Sequence, residues 1–334
     1  MVSCIPALVW RNWYTRTTQN RVSQELWVRL PPPALVMGTD ILCIVGPTAS
    51  GKSSRAVDEA LARNGEVVSV DSRQVYRGLD IGTEKITPEE MREIPHHLLN
   101  IRDVQETYSA GDFVTDATQL ISEISGRGKL PILVGGTHFY FDALLQGLPM
   151  GIDANPELRI ELEKLSNEEL YARIKNSDER RANQLDPKNR RRLIRALEII
   201  EMRGNVPERT ARHMESYTTE WIVLNPPSEI LRERIDVRLE SAFARGLIAE
   251  VQNVEQIVGD IRLNELGLEY KIVGEFLRGE RTEESLLPIL SAKLWQYARR
   301  QKAWLRKLTD EIIVEASLPQ DKKKTLSSVM RNSR

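Results

Sequence analysis

The residue types and spacing of a phosphate-binding loop occur at Gly46, Pro47, Thr48, Ala49, Ser50, Gly51, Lys52 and Ser53. Their order matches the pattern G-x-x-x-x-G-K-[ST]. Gly46 and Gly51 let the backbone turn so that its N–H groups point inward around a phosphate. Lys52 adds a positive charge, and the hydroxyl of Ser53 is a suitable ligand for Mg²⁺. The pattern therefore predicts a polyphosphate or pyrophosphate site and leaves the reaction open.

Two further polar side chains follow apolar runs of strand length. Asp71 comes directly after residues 67–70, and Thr137 follows residues 130–134 and a pair of glycines. Ligands of open α/β sheets bind at the carboxyl ends of strands, where both side chains would lie. Asp71 is a candidate to accept a proton or to hold Mg²⁺, with a turn or helix N-cap aspartate as the alternative. Thr137 is a second candidate for substrate contact, with an ordinary N-cap as the alternative.

The chain alternates between predicted strands and predicted helices, which is typical of an α/β fold. Apolar runs predict strands at residues 41–45, 67–70, 98–101, 130–134 and 217–225. Helical periodicity and capping residues predict helices at residues 54–63, 109–125, 139–146, 155–164 and 167–175, from residue 186 onward, and over most of residues 228–308. We therefore expect a P-loop NTPase-like parallel sheet flanked by helices, with a small helical insertion domain. The strand before Asp71 is expected beside the strand before the phosphate-binding loop.

A pair of histidines, His96 and His97, directly precedes the predicted strand at residues 98–101. Adjacent residues of a strand point to opposite faces, so the pair is a poor metal site. Two roles remain equally open for the pair. Either one of the two rings lines the cleft, or both are purely structural.

The composition is that of an ordinary globular protein without a membrane span. Of 334 residues, 41% are hydrophobic and 28% are charged. No apolar run approaches the roughly 20 residues that a membrane-spanning helix needs. The two cysteines, Cys4 and Cys43, support neither a disulfide framework nor a cysteine-based zinc site, so we expect a reducing, cytoplasmic setting.

A net charge of −1 hides two basic regions. Residues 171–213 hold 12 Lys/Arg and 6 Asp/Glu, and residues 293–307 hold 6 Lys/Arg and no acid. A helical wheel of the second region separates an apolar arc from the bases, which predicts one face on the core and one against a phosphate backbone. The arc consists of Leu294, Tyr297, Ala298, Trp304, Leu305 and Leu308, while Trp295 falls among the bases as a candidate stacking ring. A solvated helix face is the alternative for either region.

Seven motifs, taken in order, resemble the tRNA dimethylallyltransferases, also called tRNA isopentenyltransferases, of the bacterial type. They are residues 46–53, Asp-Ser-Arg-Gln-Val-Tyr at 71–76, His-His-Leu at 96–98, Tyr-Ser-Ala-Gly-Asp-Phe at 108–113, Gly-Gly-Thr at 135–137, residues 192–198, and Tyr-Ala-Arg-Arg-Gln at 297–301. The resemblance covers about residues 40–308. The string at 71–76 is more specific than the phosphate-binding loop, which many enzymes share.

The resemblance implies an enzyme that transfers a dimethylallyl group from dimethylallyl diphosphate to N6 of adenosine 37 in tRNAs reading codons that start with U. It implies that the phosphate-binding loop holds the diphosphate, with Ser53 helping to hold Mg²⁺. Asp71 is implied as the general base on the adenine amine, and Thr137 as a group that orients the reactants. The amine is a poor nucleophile, so a carboxylate that accepts its proton is useful.

The resemblance also implies contacts with the anticodon stem-loop of tRNA. Contacts around the flipped-out base would come from Asp71, Ser72, Arg73 and Gln74. Contacts elsewhere on the tRNA would come from Arg159, Arg191, Arg192, Leu193, Ile194 and Arg195. The target base must leave the loop stack to enter a pocket, as base-modifying enzymes require.

On this basis the chain divides into a catalytic core at residues 37–150 and 213–315, a helical tRNA-binding insertion at 151–212, and a basic tail at 316–334. Residues 1–36 have no counterpart in the family and are expected to be a disordered or non-native extension, with Met37 favoured as the working start over a transit segment. Two places depart from the family pattern. His138-Phe139 stand where smaller residues are common, which would narrow the channel, and Arg191 stands where glutamine is expected.

Three other functions remain open from the residues alone. A P-loop kinase of a small hydroxylated substrate would also use Asp71, but it does not explain two basic regions. A nucleotide-gated RNA-binding protein would leave Asp71 and Thr137 without a task. A transferase that prenylates free adenine nucleotides would not need the arginine-rich insertion. We expect a monomer, because no apolar seam is left over.

Overall fold

The computed structural model shows a central sheet covered by helices. It describes residues 27–30, 40–148, 155–207 and 217–317, with side chains from residue 40 to residue 309. The predicted start at Met37, most of the predicted extension and the part of the predicted tail from residue 318 lie outside the described residues.

The strands of the sheet are β1 (Trp27–Leu30), β2 (Ile41–Val45), β3 (Gly65–Val70), β4 (His96–His97), β5 (Leu130–Gly135) and β6 (Thr219–Leu224). Their order across the sheet is β1-β6-β2-β5-β3-β4. All neighbours from β6 to β4 pair in parallel, which confirms the predicted parallel sheet. β1 pairs antiparallel with β6 at the edge, so four residues of the predicted extension belong to the sheet.

The position of β5 corrects one expectation about the sheet. β5 lies between β2 and β3, so the strand before Asp71 is not beside the strand before the phosphate-binding loop. The order of parallel strands depends on the crossover connections, which a run of apolar residues does not encode. At the end of β5, a Cβ on Gly135 would come 2.0 Å from the carbonyl oxygen of Val70, so only glycine allows this approach.

The histidine pair is itself a strand and does not precede one. His96 and His97 pair with β3, whereas Leu98 and Asn100 have positive φ angles of 61° and 55° and end the strand, so the prediction of a strand at residues 98–101 was wrong. His97 Nε2 lies 2.7 Å from Glu66 Oε2, which gives this ring a structural partner. His96 lines the cavity described below, and its Nδ1 lies 2.8 Å from the carbonyl oxygen of Ile94.

The helices are α1 (Lys52–Arg63), α2 (Pro88–Met91), α3 (Ala110–Gly126), α4 (His138–Gln146), α5 (Pro156–Leu162), α6 (Asn167–Ser177), α7 (Glu179–Ala182), α8 (Arg190–Arg203), α9 (Ser228–Ala244), α10 (Leu247–Leu263), α11 (Leu268–Leu277) and α12 (Leu286–Ser317). Ser109 and Ser166 form capping boxes at the starts of α3 and α6, which explains why helices begin there. The short helices α2 and α7 carry too little periodicity to be predicted. No described helix is long and apolar enough to cross a membrane.

The described residues pack in three apolar clusters. β2 is buried at every position because helices cover both faces of the sheet. Ile41, Cys43 and Val45 of β2 face the larger cluster, to which α3, α4 and α9 to α12 contribute. Leu42 and Ile44 face a smaller cluster that includes residues of α1. The third cluster consists of residues of α5 to α8, of the loops that join them and of the segment after α8, between α4 and β6 along the chain.

α12 follows the predicted apolar arc with two differences. Leu294, Ala298 and Leu305 are buried as predicted. Gln301 is also buried, with 3% of its surface exposed; at about 100° per residue it falls inside the predicted arc, which was described by its apolar members alone. Trp295 is partly buried against the core, so it does not stand among the bases as a stacking ring.

Candidate active site

The phosphate-binding loop lies between β2 and α1 and is held by close contacts. Gly51 has a φ of 88° at the start of α1, a left-handed conformation that favours glycine. A Cβ on Gly46 would come 2.6 Å from Ser50 Oγ and 2.7 Å from the carbonyl oxygen of Leu224, so a larger residue would displace the loop. Ser50 is buried, and its hydroxyl has no hydrogen-bond partner among the residues that the structure describes. An orphaned buried hydroxyl in this loop fits a site that a polar ligand completes.

Lys52 turns its ammonium group back into the loop. Lys52 Nζ donates a hydrogen bond to the carbonyl oxygen of Pro47 at 2.7 Å. Burial lowers the pKa of Lys52 to about 8, an effect that Asp71 opposes and Arg238 reinforces. These three charges are therefore close enough to act on one another, and a bound anion would restore the full charge of the lysine.

One cavity of about 540 Å³ connects the loop to the turn after β3. Its wall includes the loop from Thr48 to Ser53 and the side chains of Asp71 and Gln74. Ser72, Arg73 and Thr137 were predicted at the same site, but they do not line this cavity. The structure thus brings the predicted base to the phosphate-binding loop.

Asp71 is a turn aspartate, which was the alternative reading of the sequence, and it also lines the cavity. Its Oδ1 accepts hydrogen bonds from the backbone N–H groups of Arg73 at 2.8 Å and Gln74 at 3.2 Å. These bonds fix the carboxylate at the end of β3 and define its direction. Thr137 stands at the N-cap position of α4, but its side chain does not cap the helix; its hydroxyl accepts a hydrogen bond from the backbone N–H of Ser72 at 3.2 Å.

Gln74 is held by the loop that follows it. Its Nε2 donates to the carbonyl oxygens of Thr83 at 3.1 Å and Glu84 at 3.3 Å, and its Oε1 accepts from Ser69 Oγ at 3.3 Å. Glu250 of α10 fixes the same loop from outside. Its carboxylate accepts hydrogen bonds from the backbone N–H groups of Asp80, Ile81 and Gly82 and from the hydroxyl of Tyr270.

Two residues that the sequence analysis did not select, Arg238 and Gln301, contact Thr48 of the phosphate-binding loop. Arg238 of α9 donates to Thr48 Oγ1 at 2.5 Å and lies 3.4 Å from Glu269 Oε1. Gln301 of α12 accepts a hydrogen bond from the backbone N–H of Thr48 at 2.9 Å. Gln301 ends a motif that was noted in the sequence, whereas nothing in the sequence near Arg238 distinguishes it from other helix arginines.

The donor set fits a magnesium ion bound chiefly through substrate phosphate. Among the described residues there is no cluster of three or more His, Cys, Asp or Glu that could form a metal cage. Mg²⁺ is usually held by one or two protein oxygens together with phosphates and water. Ser53, exposed at the start of α1, and Asp71 supply such oxygens to the same cavity.

The predicted tRNA contacts of the insertion fall into three groups. Arg191 and Arg192 are exposed on α8. Arg159 and Arg195 each form an ion pair with the buried Glu198, at 2.7 Å and 3.1 Å, and remain partly exposed. Leu193 and Ile194 are buried in the insertion cluster at 0% and 4% exposure, because the apolar face of α8 packs inward. Their side chains therefore face the interior of the insertion and not its surface.

His138 marks the place where the insertion faces the core. Its ring lies 5.7 Å from that of Trp304 on α12. Burial lowers the pKa of His138; Asp142 opposes this shift, and Arg192 and Arg300 reinforce it. The insertion and α12 therefore both place cations near the turn after β5. Phe139, the other residue predicted to narrow the channel, is 46% exposed.

The chain matches one family model and is similar to several known proteins. Residues 74–308 match the family model described as IPP transferase. The chain is 41% identical to a tRNA dimethylallyltransferase of Thermomicrobium roseum, over 80% of this chain and 84% of that protein. The crystal structure of a full-length tRNA isopentenylpyrophosphate transferase from Bacillus halodurans has a TM-score of 0.60 at 35% identity, covering 87% of this chain and 98% of that one. A eukaryotic dimethylallyltransferase acting on tRNA has a TM-score of 0.70 at 29% identity, covering 80% and 70%.

Proposed function

The chain belongs to the IPP transferase family of tRNA dimethylallyltransferases, and we propose that it transfers a dimethylallyl group from dimethylallyl diphosphate to N6 of adenosine 37 in tRNA. The acceptors would be tRNAs that read codons starting with U. One observation carries the proposal: a single cavity is lined both by the phosphate-binding loop and by Asp71. The reaction needs a leaving diphosphate and a proton acceptor in the same space.

The phosphate-binding loop is proposed to hold the diphosphate of the donor. An allylic carbon releases diphosphate readily when the leaving charge meets N–H groups and cations. The backbone of the loop and Lys52 would supply these, and Arg238 lines the same cavity. When bound, Mg²⁺ neutralises charge on the leaving group, and Ser53 is the residue proposed to hold it.

Asp71 is proposed to accept the proton of the adenine amine as the new N–C bond forms. The backbone N–H groups of Arg73 and Gln74 both bond to Oδ1, so the carboxylate has a fixed direction before substrate arrives. A base held in place in this way loses little freedom when the reaction begins. Gln74, whose side chain also lines the cavity, would contact the flipped-out base.

The insertion and α12 are proposed to bind the anticodon stem-loop. Arg191 and Arg192 on α8 and Arg300 on α12 are exposed, and the last two lie close to His138. Such a distribution of cations suits phosphates on two sides of a loop whose target base has left the stack. We place the reaction in the cytoplasm, where tRNA is the acceptor, and propose that a monomer is sufficient.

A transfer assay tests the proposal. Purified protein, Mg²⁺ and labelled dimethylallyl diphosphate are incubated with a stem-loop that carries adenosine at the modified position and on either side of it, or with free AMP. We expect label on the stem-loop, and a loss of at least about a hundredfold in kcat for Asp71→Asn, on the scale of general base catalysis. Because an asparagine oxygen still accepts the Arg73 and Gln74 N–H groups, the donor KM should change little.

Other outcomes would replace the proposal. Label on AMP alone would make the protein a transferase of free adenine nucleotides. ATP hydrolysis without label on either acceptor would favour a P-loop kinase. Full transfer by Asp71→Asn would remove Asp71 from the role of base and leave the substrate assignment intact.

A further inference from the structure

Gln301 of α12 connects its helix to two turns of the cavity, the phosphate-binding loop and the turn after β5. Its Oε1 accepts a hydrogen bond from the backbone N–H of Thr48, and its Nε2 donates to the carbonyl oxygen of Gly136, both at 2.9 Å. The side chain is 3% exposed, so its two hydrogen bonds form largely out of contact with bulk water. One amide of α12 thus satisfies the phosphate-binding loop and the turn after β5 together.

The approach of these groups is close enough to require glycine. A Cβ on Gly136 would lie 2.4 Å from Gln301 Nε2, a distance at which one of the two must move. Gly136 and Gln301 both line the cavity that holds Asp71 and the phosphate-binding loop. The amide of Gln301 is therefore part of the cavity wall and not only of the core.

The outer face of the same helix turn carries cations. Arg299 and Arg300, the two residues before Gln301, are exposed. The guanidinium carbon of Arg300 lies 5.8 Å from the ring centre of Tyr297, which also lines the cavity. Within one and a half helical turns, α12 therefore presents cations outward and a hydrogen-bonded amide inward.

We propose that Gln301 is a positioning residue that fixes the phosphate-binding loop and the Gly136 turn against α12, and that it thereby couples RNA binding on the outer face of α12 to diphosphate binding in the cavity. This inference rests on the proposed function. RNA phosphates on Arg299 and Arg300 hold α12 in place, and Gln301 passes this restraint to the backbone N–H of Thr48. A loop that is already ordered binds the diphosphate more tightly, and by reciprocity the diphosphate strengthens RNA binding.

Binding of inorganic pyrophosphate in Mg²⁺ buffer, measured by calorimetry with and without the anticodon stem-loop, tests this coupling without turnover. In the wild type we expect the stem-loop to tighten pyrophosphate binding about fivefold or more. Gln301→Met keeps the length of the side chain and removes both hydrogen bonds. We expect it to weaken pyrophosphate binding about tenfold, on the scale of one buried hydrogen bond, and to abolish the effect of the stem-loop.

Three further variants separate positioning from general damage. Gln296→Met makes the same change at an exposed glutamine of α12, and it should leave pyrophosphate binding and its response to RNA unchanged. Gly136→Ala leaves Gln301 intact but drives its amide away, and it should reproduce the Gln301→Met effect. The double variant Gly136→Ala/Gln301→Met should be no worse than either single variant, because both break the same contact.

The proposal is overturned if folded Gln301→Met, verified by circular dichroism, binds pyrophosphate as tightly as the wild type. The proposed coupling between RNA binding and diphosphate binding is overturned if the stem-loop leaves pyrophosphate binding unchanged in the wild type. Since neither readout needs transfer, these failures are distinct from a failure of the proposed function, which the transfer assay reports separately.

Discussion

The side-chain hydroxyl of Thr137 accepts a hydrogen bond from the backbone N–H of Ser72 at 3.2 Å. This bond joins the turn after β5 to the turn after β3, one residue away from the proposed base, Asp71. We therefore expect Thr137 to contribute to catalysis through the position of the Asp71 turn rather than through a contact with the donor.

Replacement of Thr137 by valine therefore tests a positioning role. Thr137→Val keeps the shape of the side chain and leaves the Ser72 N–H without its acceptor, which should lower kcat about tenfold, on the scale of one hydrogen bond. Thr137→Ser keeps the acceptor and should stay within about twofold of the wild type. Steady-state kinetics on the stem-loop measure both. A fall in donor affinity with an unchanged kcat would instead give Thr137 a direct contact with the diphosphate.

The sequence was sufficient for the parts of the site that local patterns encode. The spacing of Gly46, Gly51, Lys52 and Ser53 predicted the phosphate-binding loop, because a turn before a helix needs those residue types in that order. The sequence did not show that β5 separates β2 from β3, because strand order follows from the crossover connections.

Contacts that depend on tertiary packing were missed for a related reason. Thr48 and Gln301 are 253 residues apart, and Thr48 and Arg238 are 190 apart. A helical wheel of α12 gives the angle of each residue and puts Gln301 within the apolar arc, but it does not show that a backbone N–H and a carbonyl group lie opposite the amide in the core. Leu193 and Ile194 show a limit of the resemblance. It assigned the whole stretch from Arg191 to Arg195 to tRNA contact, including two residues whose side chains pack inside the insertion.

The lowered pKa of Lys52 predicts a pH dependence of diphosphate binding. Burial lowers this pKa to about 8, against the opposing effect of Asp71, so the ammonium form of the free protein is lost as pH rises through about 8. Pyrophosphate binding should therefore weaken above pH 8, and binding near that pH should take up roughly half a proton. Calorimetry in buffers of different ionisation enthalpy measures the uptake.

A Lys52→Arg variant provides the control for that experiment. The guanidinium stays charged throughout the accessible pH range, so its complex should form without this proton uptake even if its different shape weakens binding. Equal uptake by Lys52→Arg and the wild type would assign the titration to another group.

Glu250 is predicted to support the acceptor side of the cavity. Its carboxylate holds the backbone of Asp80, Ile81 and Gly82, and the next two residues hold the amide of Gln74. Glu250→Gln replaces one acceptor oxygen by an NH₂ group that faces N–H donors, so the loop should shift and carry Gln74 with it. We expect a KM for the stem-loop raised about tenfold and a donor KM changed by less than about twofold.

Two variants calibrate the Glu250 experiment. Tyr270→Phe removes one of the four hydrogen bonds to the carboxylate, at 2.6 Å, and should give a smaller effect in the same direction. Glu240→Gln alters an exposed glutamate on the neighbouring helix α9 and should have no effect. A donor KM that rises together with the RNA KM would show that the loop supports the whole cavity and not the acceptor side alone.

Glu198 is predicted to hold the insertion in the form that binds RNA. Burial tends to raise its pKa, but hydrogen bonds from Arg159 and Arg195 outweigh burial and lower it from the ordinary value of 4.5. A lowered pKa means that the stabilisation is present above about pH 4.5 and is lost as pH falls through the folded-state pKa. Glu198→Gln should therefore cost about 2 kcal/mol at neutral pH, with the gap to the wild type closing in acid. Thermal unfolding against pH measures this, with the exposed Glu201→Gln on the same helix as control.

Because the two arginines lose their common anchor in Glu198→Gln, the RNA KM should also rise while the donor KM stays constant. A constant gap from pH 7 to acid would mean that packing, and not the ion pairs, accounts for the loss.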